Sequence, residues 1–173
     1  MRSLIAVFVL AVICAGCSTT SHHTTHLLPE LRPYVNEVAH ELKQVAPERR
    51  EVLDSIAARM VQELDAGKPA NLTFICTHNS RRSHMSQIWA QTAAYYYGLD
   101  DVRCYSGGTQ QTACNCRTVT AMRHAGFEFQ DITSGDNPVY LVRYATDRPV
   151  IRAYSKIYNS DDNPKSDFIA LMT

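Results

Sequence analysis

The sequence predicts an α/β fold: an open, mostly parallel sheet with a phosphate-binding loop after its first strand, preceded by an N-terminal helical hairpin. Three observations carry that expectation. Strand-like runs at 72–76, 102–106, 149–154 and 168–172 alternate with helical patterns or follow them, as layered α/β domains require. The first run ends on Cys76, with Arg82 and Ser83 opening the helical stretch behind it. Two further helical periodicities fill the region between 28 and 68.

Taken in order, the chain opens with Met1-Arg2-Ser3 and an apolar run over 4–15, shorter than the roughly twenty residues of a membrane span. It reads as a signal peptide over 1–16. Cys14-Ala15-Gly16-Cys17 resembles a bacterial lipobox with Cys14 in place of the usual leucine, which implies lipidation at Cys17. Signal-peptidase cleavage nearby is the alternative. The resemblance implies export and lipid anchoring in the bacterial envelope, on the periplasmic face. Ser18 after the cysteine favours the outer membrane by the same rule. Residues 17–27 then read as a polar tether, and His22, His23 and His26 have no second ligand cluster beside them, which favours a spacer over a metal site.

The helical hairpin is expected over 28–68. Its first helix carries Leu31, Tyr34, Val35, Val38 and Leu42. Its second, opened by Pro47, carries Val52, Ile56, Met60 and Leu64 and stops at Gly67 and Pro69. The short Ala46-Pro47 link predicts antiparallel packing. With 173 residues, 45% of them hydrophobic, and formal net charge +0, the chain can bury a core. That balance gives no overall polarity to draw nucleic acid or an anionic membrane, so any anion attraction is local.

The local feature is Cys76-Thr77-His78-Asn79-Ser80-Arg81-Arg82-Ser83. A loop between a strand and a helix N-terminus turns backbone N–H groups inward and points the positive end of the helix dipole at any bound anion. The same field favours the Cys76 thiolate, a nucleophile. The Arg82 fork suits two equatorial oxygens of a tetrahedral anion, and Ser83 is placed to donate to the sulfur. Asn79 tolerates the left-handed backbone of a tight turn.

These residues resemble the active-site loop of low-molecular-weight protein tyrosine phosphatases and the related thioredoxin-coupled arsenate reductases. Ser106-Gly107-Gly108-Thr109 is similar to the Ser-x-Gly-Thr turn that supports that loop, and the helical stretch 117–124, closed by Gly126, is similar to the next helix. The resemblance covers about residues 72–130 and implies a phosphatase-like domain over 69–173. It assigns catalysis to Cys76, Arg82 and Ser83, anion binding to residues 77–82, and loop support to Ser106, Gly108 and Thr109. Two positions depart from the pattern: His78 stands where glycine is usual, and Arg81 where a second, protective cysteine often stands.

The resemblance also implies a general acid on an Asp-Pro loop, and this sequence has no Asp-Pro pair. Asp136-Asn137-Pro138 and Asp162-Asn163-Pro164 come nearest, and both read as plain turns. Because the apolar run 168–172 ends without a following turn or helix, the domain is expected to be incomplete at its C-terminus. The stretch 135–165, rich in Pro, Asp and Asn, reads as an insertion. Cys114-Asn115-Cys116 admits a redox pair, half a metal site or buried thiols, with the last favoured.

Three functional readings follow. The first is a phosphatase forming a phosphocysteine on Cys76. In the second, arsenate is reduced with Cys76 as first nucleophile and a thiol reductant as partner. The third is an anion-binding lipoprotein without turnover. The expected ligand is a phosphoester or arsenate oxyanion. No cofactor, metal or nucleic acid is expected, and the membrane enters only through Cys17.

Overall fold

A computed structural model describes residues 24–173. The signal-like segment, Cys17, His22 and His23 lie outside the described residues. The elements are α1 (Arg32–Glu41), α2 (Pro47–Asp65), β1 (Ala70–Cys76), α3 (Arg82–Tyr96), β2 (Val102–Gly108), α4 (Cys116–His124), β3 (Glu128–Asp131), β4 (Tyr140–Arg143), β5 (Ile151–Ala153) and β6 (Ile169–Met172).

The fold is α/β. A parallel sheet of order β2-β1-β6 carries the loop, with Cys76 opposite Gly108 in register and Ile75 opposite Met172. The central strand β1 is buried along almost its whole length, which explains its unbroken apolar run. Asn115 caps α4 by accepting from the Arg117 N–H at 3.0 Å.

The run expected over 149–154 does form a strand, β5, but it belongs to a second, antiparallel sheet of order β3-β4-β5. Its partners β3 and β4 were not expected from the sequence. Only β4 alternates cleanly, with Tyr140 and Val142 buried and Leu141 and Arg143 half-buried. The four residues of β3 are mostly exposed, so no periodicity marks them. Residues 135–165 are therefore structural, containing two strands and the segment that closes the functional site.

Two apolar cores flank α3. Ile88, Trp89 and Tyr95 join the core of the antiparallel sheet, while Ala90 and Ala94 join that of the parallel sheet. Helix α1 adds Val35 to the first core, and α2 adds Met60 to the second. The two N-terminal helices thus serve different cores, and the expected antiparallel pairing is not what buries them. Each finds more apolar partners on the domain than on the other.

The segment read as a tether ends in contact with the domain. Leu27 is only 1% exposed and bridges Ala145, and the Leu28 N–H donates to Tyr144 O at 3.0 Å. Leu28 and Leu31 are buried beside Leu27 in the same core. Gly126, at φ +103, accepts the close approach of this N-terminal segment: a Cβ there would lie 2.4 Å from the Glu30 carbonyl.

Candidate functional site

Strand β1 delivers Cys76, only 6% exposed, at its C-terminal end, and α3 begins at Arg82. The intervening turn is made possible by Asn79 at φ +43. The Asn79 side chain is fully buried and spans two neighbours. Its Nδ2 donates to Ser83 Oγ at 2.8 Å, and its Oδ1 accepts from the Lys156 backbone N–H at 3.0 Å.

Ser83 Oγ lies 3.1 Å from Cys76 Sγ. Because that oxygen already accepts from Asn79, its own proton is free to point at the sulfur, the arrangement that favours a thiolate. Burial pushes the Cys76 pKa up. The Ser83 hydroxyl and the backbone N–H groups of Ser83, Ser80 and Asn79 outweigh it, and the net shift is downward from the ordinary thiol value.

The loop carbonyls are held away from the sulfur by donors outside the loop. Cys76 O accepts from Thr109 N at 3.1 Å, and Thr77 O from Gln110 N at 2.8 Å and Thr109 Oγ1 at 3.3 Å. His78 O accepts from Ser155 Oγ at 2.8 Å and Thr112 Oγ1 at 3.1 Å, and Ser80 O from Asn115 N at 2.9 Å. With four carbonyls occupied on the outside, the amides are left to face an anion.

Gly108 is the contact point of this support. A Cβ there would sit 2.7 Å from Asn79 N and 2.8 Å from Thr77 O, both backbone, so only glycine fits. Its N–H donates to Lys156 O and its carbonyl accepts from Tyr158 N, each at 2.9 Å. Ser106 is buried with Oγ 3.3 Å from His84 Nδ1. His84 is held neutral: burial and the neighbouring Lys156 charge push its pKa down to about 3.

The structure thus gathers Cys76, Asn79, Ser80 and Ser83 with Ser106, Gly108 and Thr109. Thr77, His78, Arg81 and Arg82 are exposed on the open side of the loop. Sequence reading missed His84, Asn137, Ser155, Lys156 and Asn163. Asn137 grips Ser155 twice, donating from Nδ2 to Ser155 O at 2.8 Å and accepting the Ser155 N–H at 3.0 Å. Asn163 Nδ2 donates to Ser106 O at 3.0 Å and Tyr158 O at 2.9 Å. The two Asn-Pro pairs, Asn137-Pro138 and Asn163-Pro164, were the available signal. Asp136 is exposed, and Asp162 accepts from Tyr154 Oη at 2.7 Å and from Arg152 at 3.3 Å.

Cys76, Cys104, Cys114 and Cys116 are free thiols. Burial raises the Cys104 pKa and pushes that of Cys114 up to about 12, so neither is a thiolate at neutral pH. Among the described residues, no cluster of three or more His, Cys, Asp or Glu is arranged to hold a metal ion.

Comparison with known proteins agrees with this geometry. Residues 71–136 match the low molecular weight phosphotyrosine protein phosphatase family. The matched segment belongs to that superfamily. Arsenate reductase of Staphylococcus aureus (strain NCTC 8325 / PS 47) is 36% identical over 61 residues, 35% of this chain and 44% of the relative. Arsenate reductase of Bacillus subtilis (strain 168) is 38% identical over 61 residues, 35% of this chain and 41% of the relative. The corresponding figures for the Bacillus licheniformis arsenate reductase are 39%, 61 residues, 35% and 41%. The chain thus spans less than half the length of the curated relatives it matches. No solved structure matches.

Proposed function

We propose that the chain is a cysteine-dependent enzyme acting on tetrahedral oxyanions, and more narrowly a phosphomonoesterase of the tyrosine phosphatase type. The observation that carries this reading is the buried Cys76 sulfur, 3.1 Å from a Ser83 hydroxyl free to donate to it, with loop amides lowering its pKa. In this mechanism the thiolate attacks phosphorus in line. The S–P bond forms as the P–O bond breaks, the electron pair leaves on the ester oxygen, and Arg82 with the loop amides holds the equatorial oxygens. Water then displaces the sulfur, releasing inorganic phosphate and regenerating the thiolate.

A second reading, arsenate reduction, is favoured by the name the curated relatives carry. It uses the same first attack, after which a second thiol attacks the Cys76 sulfur. Two thiols become a disulfide and arsenate becomes arsenite, with an external thiol reductant closing the cycle.

The purified chain should be assayed with para-nitrophenyl phosphate and, separately, with arsenate plus a dithiol. Turnover of the ester, reduced at least about a thousandfold in Cys76→Ser, is the expected result. Turnover of arsenate alone would replace the first reading by the second, and activity indifferent to Cys76→Ser would sink both. Export and lipidation are proposed from the pattern of residues 1–17 alone. Their test is labelled palmitate incorporation, which Cys17→Ala should abolish.

A further inference from the structure

Two arginines at the rim of the loop have no charge to answer them. Arg81, the residue before Arg82, is exposed and makes no side-chain capping bond at the start of α3. Arg117 is exposed in the first turn of α4. That turn docks on Ser80, the residue before Arg81. Ser80 O accepts from Asn115 N at 2.9 Å and from Thr118 Oγ1 at 3.5 Å, and Ser80 Oγ donates to Ala113 O at 2.6 Å. Arg81 and Arg117 are therefore brought together at the surface around one half-buried serine. Neither belongs to an ion pair among the described residues. The far end of α4 supplies the contrast: Arg123 pairs with Asp131 at 2.9 Å and donates to Phe129 O at 3.1 Å. A cation in a first helical turn also works against the helix dipole, and neither α3 nor α4 has an acid there to offset it. Adjacent residues at a helix start face different ways, so the Arg81 fork does not share the anion held by Arg82.

We propose that Arg81 and Arg117 form a second anion subsite beside the reacting phosphate, and that it takes the carboxylates flanking phosphotyrosine in an acidic peptide. The inference rests on the phosphatase reading of the loop and names its substrate class. The phosphate enters between the loop amides and Arg82. A neighbouring Asp or Glu of the substrate then meets the rim, where both guanidinium groups are exposed and uncommitted. A carboxylate suits them because a guanidinium offers it two parallel N–H donors. The subsite is open to water, so each contact is modest and weakens as salt screens it. It acts on substrate affinity rather than on the chemical step, and a neutral aryl phosphate makes no use of it.

The test compares two phosphotyrosine peptides of equal length, one with glutamates on both sides of the phosphotyrosine and one with alanines there. The host is the full chain carrying Cys76→Ser, which binds without attacking. Calorimetry should show the acidic peptide binding roughly tenfold tighter at low salt. That preference should shrink as sodium chloride rises from about 0.05 M to about 0.5 M. Adding Arg81→Gln or Arg117→Gln should each cut it by about threefold, and Arg81→Glu should turn it toward a lysine-flanked peptide. Equal affinities for the two peptides in the parent, or a preference unchanged in either glutamine variant, would overturn the inference. Turnover of para-nitrophenyl phosphate by the chain with its own Cys76 checks the reading beneath separately. Its absence, with the peptide preference intact, would sink hydrolysis and leave the subsite standing.

Discussion

The loop from Cys76 to Ser83 and the segment from Asn137 to Asn163 build one site by different means. The loop is compact and local: eight consecutive residues place the sulfur, the hydroxyl that polarises it and the arginine. The later segment carries no reacting group. It supplies the Ser155 hydroxyl on His78 O and the Lys156 amide on Asn79, with Asn137 holding Ser155 and Asn163 tying Ser106 to Tyr158. The family match ends at residue 136, one residue before this bracing begins. Chemistry and its mechanical support are thus separable in this chain, and substitutions should show the separation.

The largest expected effect is on the loop. Arg82→Ala removes an exposed side chain that contributes little to the core, so the midpoint of urea unfolding should hardly move while turnover falls roughly a hundredfold or more. A comparable loss of stability would mean that Arg82 belongs with the braces.

Asn79→Ala stands at the junction of the two regions. It removes both side-chain bonds and puts a strained alanine at positive φ, so turnover should drop tenfold or more, by about 1–3 kcal/mol. The rate of iodoacetamide alkylation against pH should also shift upward, because Ser83 loses the donor that orients its proton. An unchanged alkylation profile would break the proposed relay from Asn79 through Ser83 to Cys76.

Asn137→Ala should act through stability, costing about 1–3 kcal/mol for two lost bonds to Ser155, with the pH profile of alkylation unchanged. If it alters the profile instead, brace and loop are more tightly coupled than the geometry indicates.

The last effect appears only on acidification and concerns His84. Its folded pKa is depressed below the ordinary histidine value, so the unfolded chain binds the extra proton first. The stability it contributes is full above pH 6.5 and falls by about 1.4 kcal/mol per unit as pH drops toward 3. Equilibrium unfolding at pH 7.5 and 5.5 should show that loss in the parent and not in His84→Gln.

The same division explains what could be read in the sequence. The placement of Cys76, Arg82 and Ser83 was legible because strand, turn and helix follow one another without interruption, and that of Gly108 because its turn has a recognisable composition. The parallel strands β1, β2 and β6 stood out as short apolar runs. β3 did not, because it is four mostly exposed residues, and β5 was found but given to the wrong sheet, since pairing partners leave no mark in a single strand. Asn137 and Asn163 act through bonds to Ser155 and Ser106, which are 18 and 57 residues away, and a turn signal says nothing of such partners. Lys156 gave no signal at all: a lysine in a polar stretch reads as solvated until the fold encloses it.

The bond between the Lys156 amide and Asn79 spans 77 residues, and so does that between Ser155 and His78. Closing so long a loop costs chain entropy that local contacts cannot repay in advance. During synthesis Cys76 therefore emerges well before the groups that orient Asn79. The downward shift of its pKa draws on the Ser83 hydroxyl that Asn79 orients, so that shift depends on the late segment having docked. Alkylation of this sulfur against pH would in this sense report completed assembly rather than the loop alone.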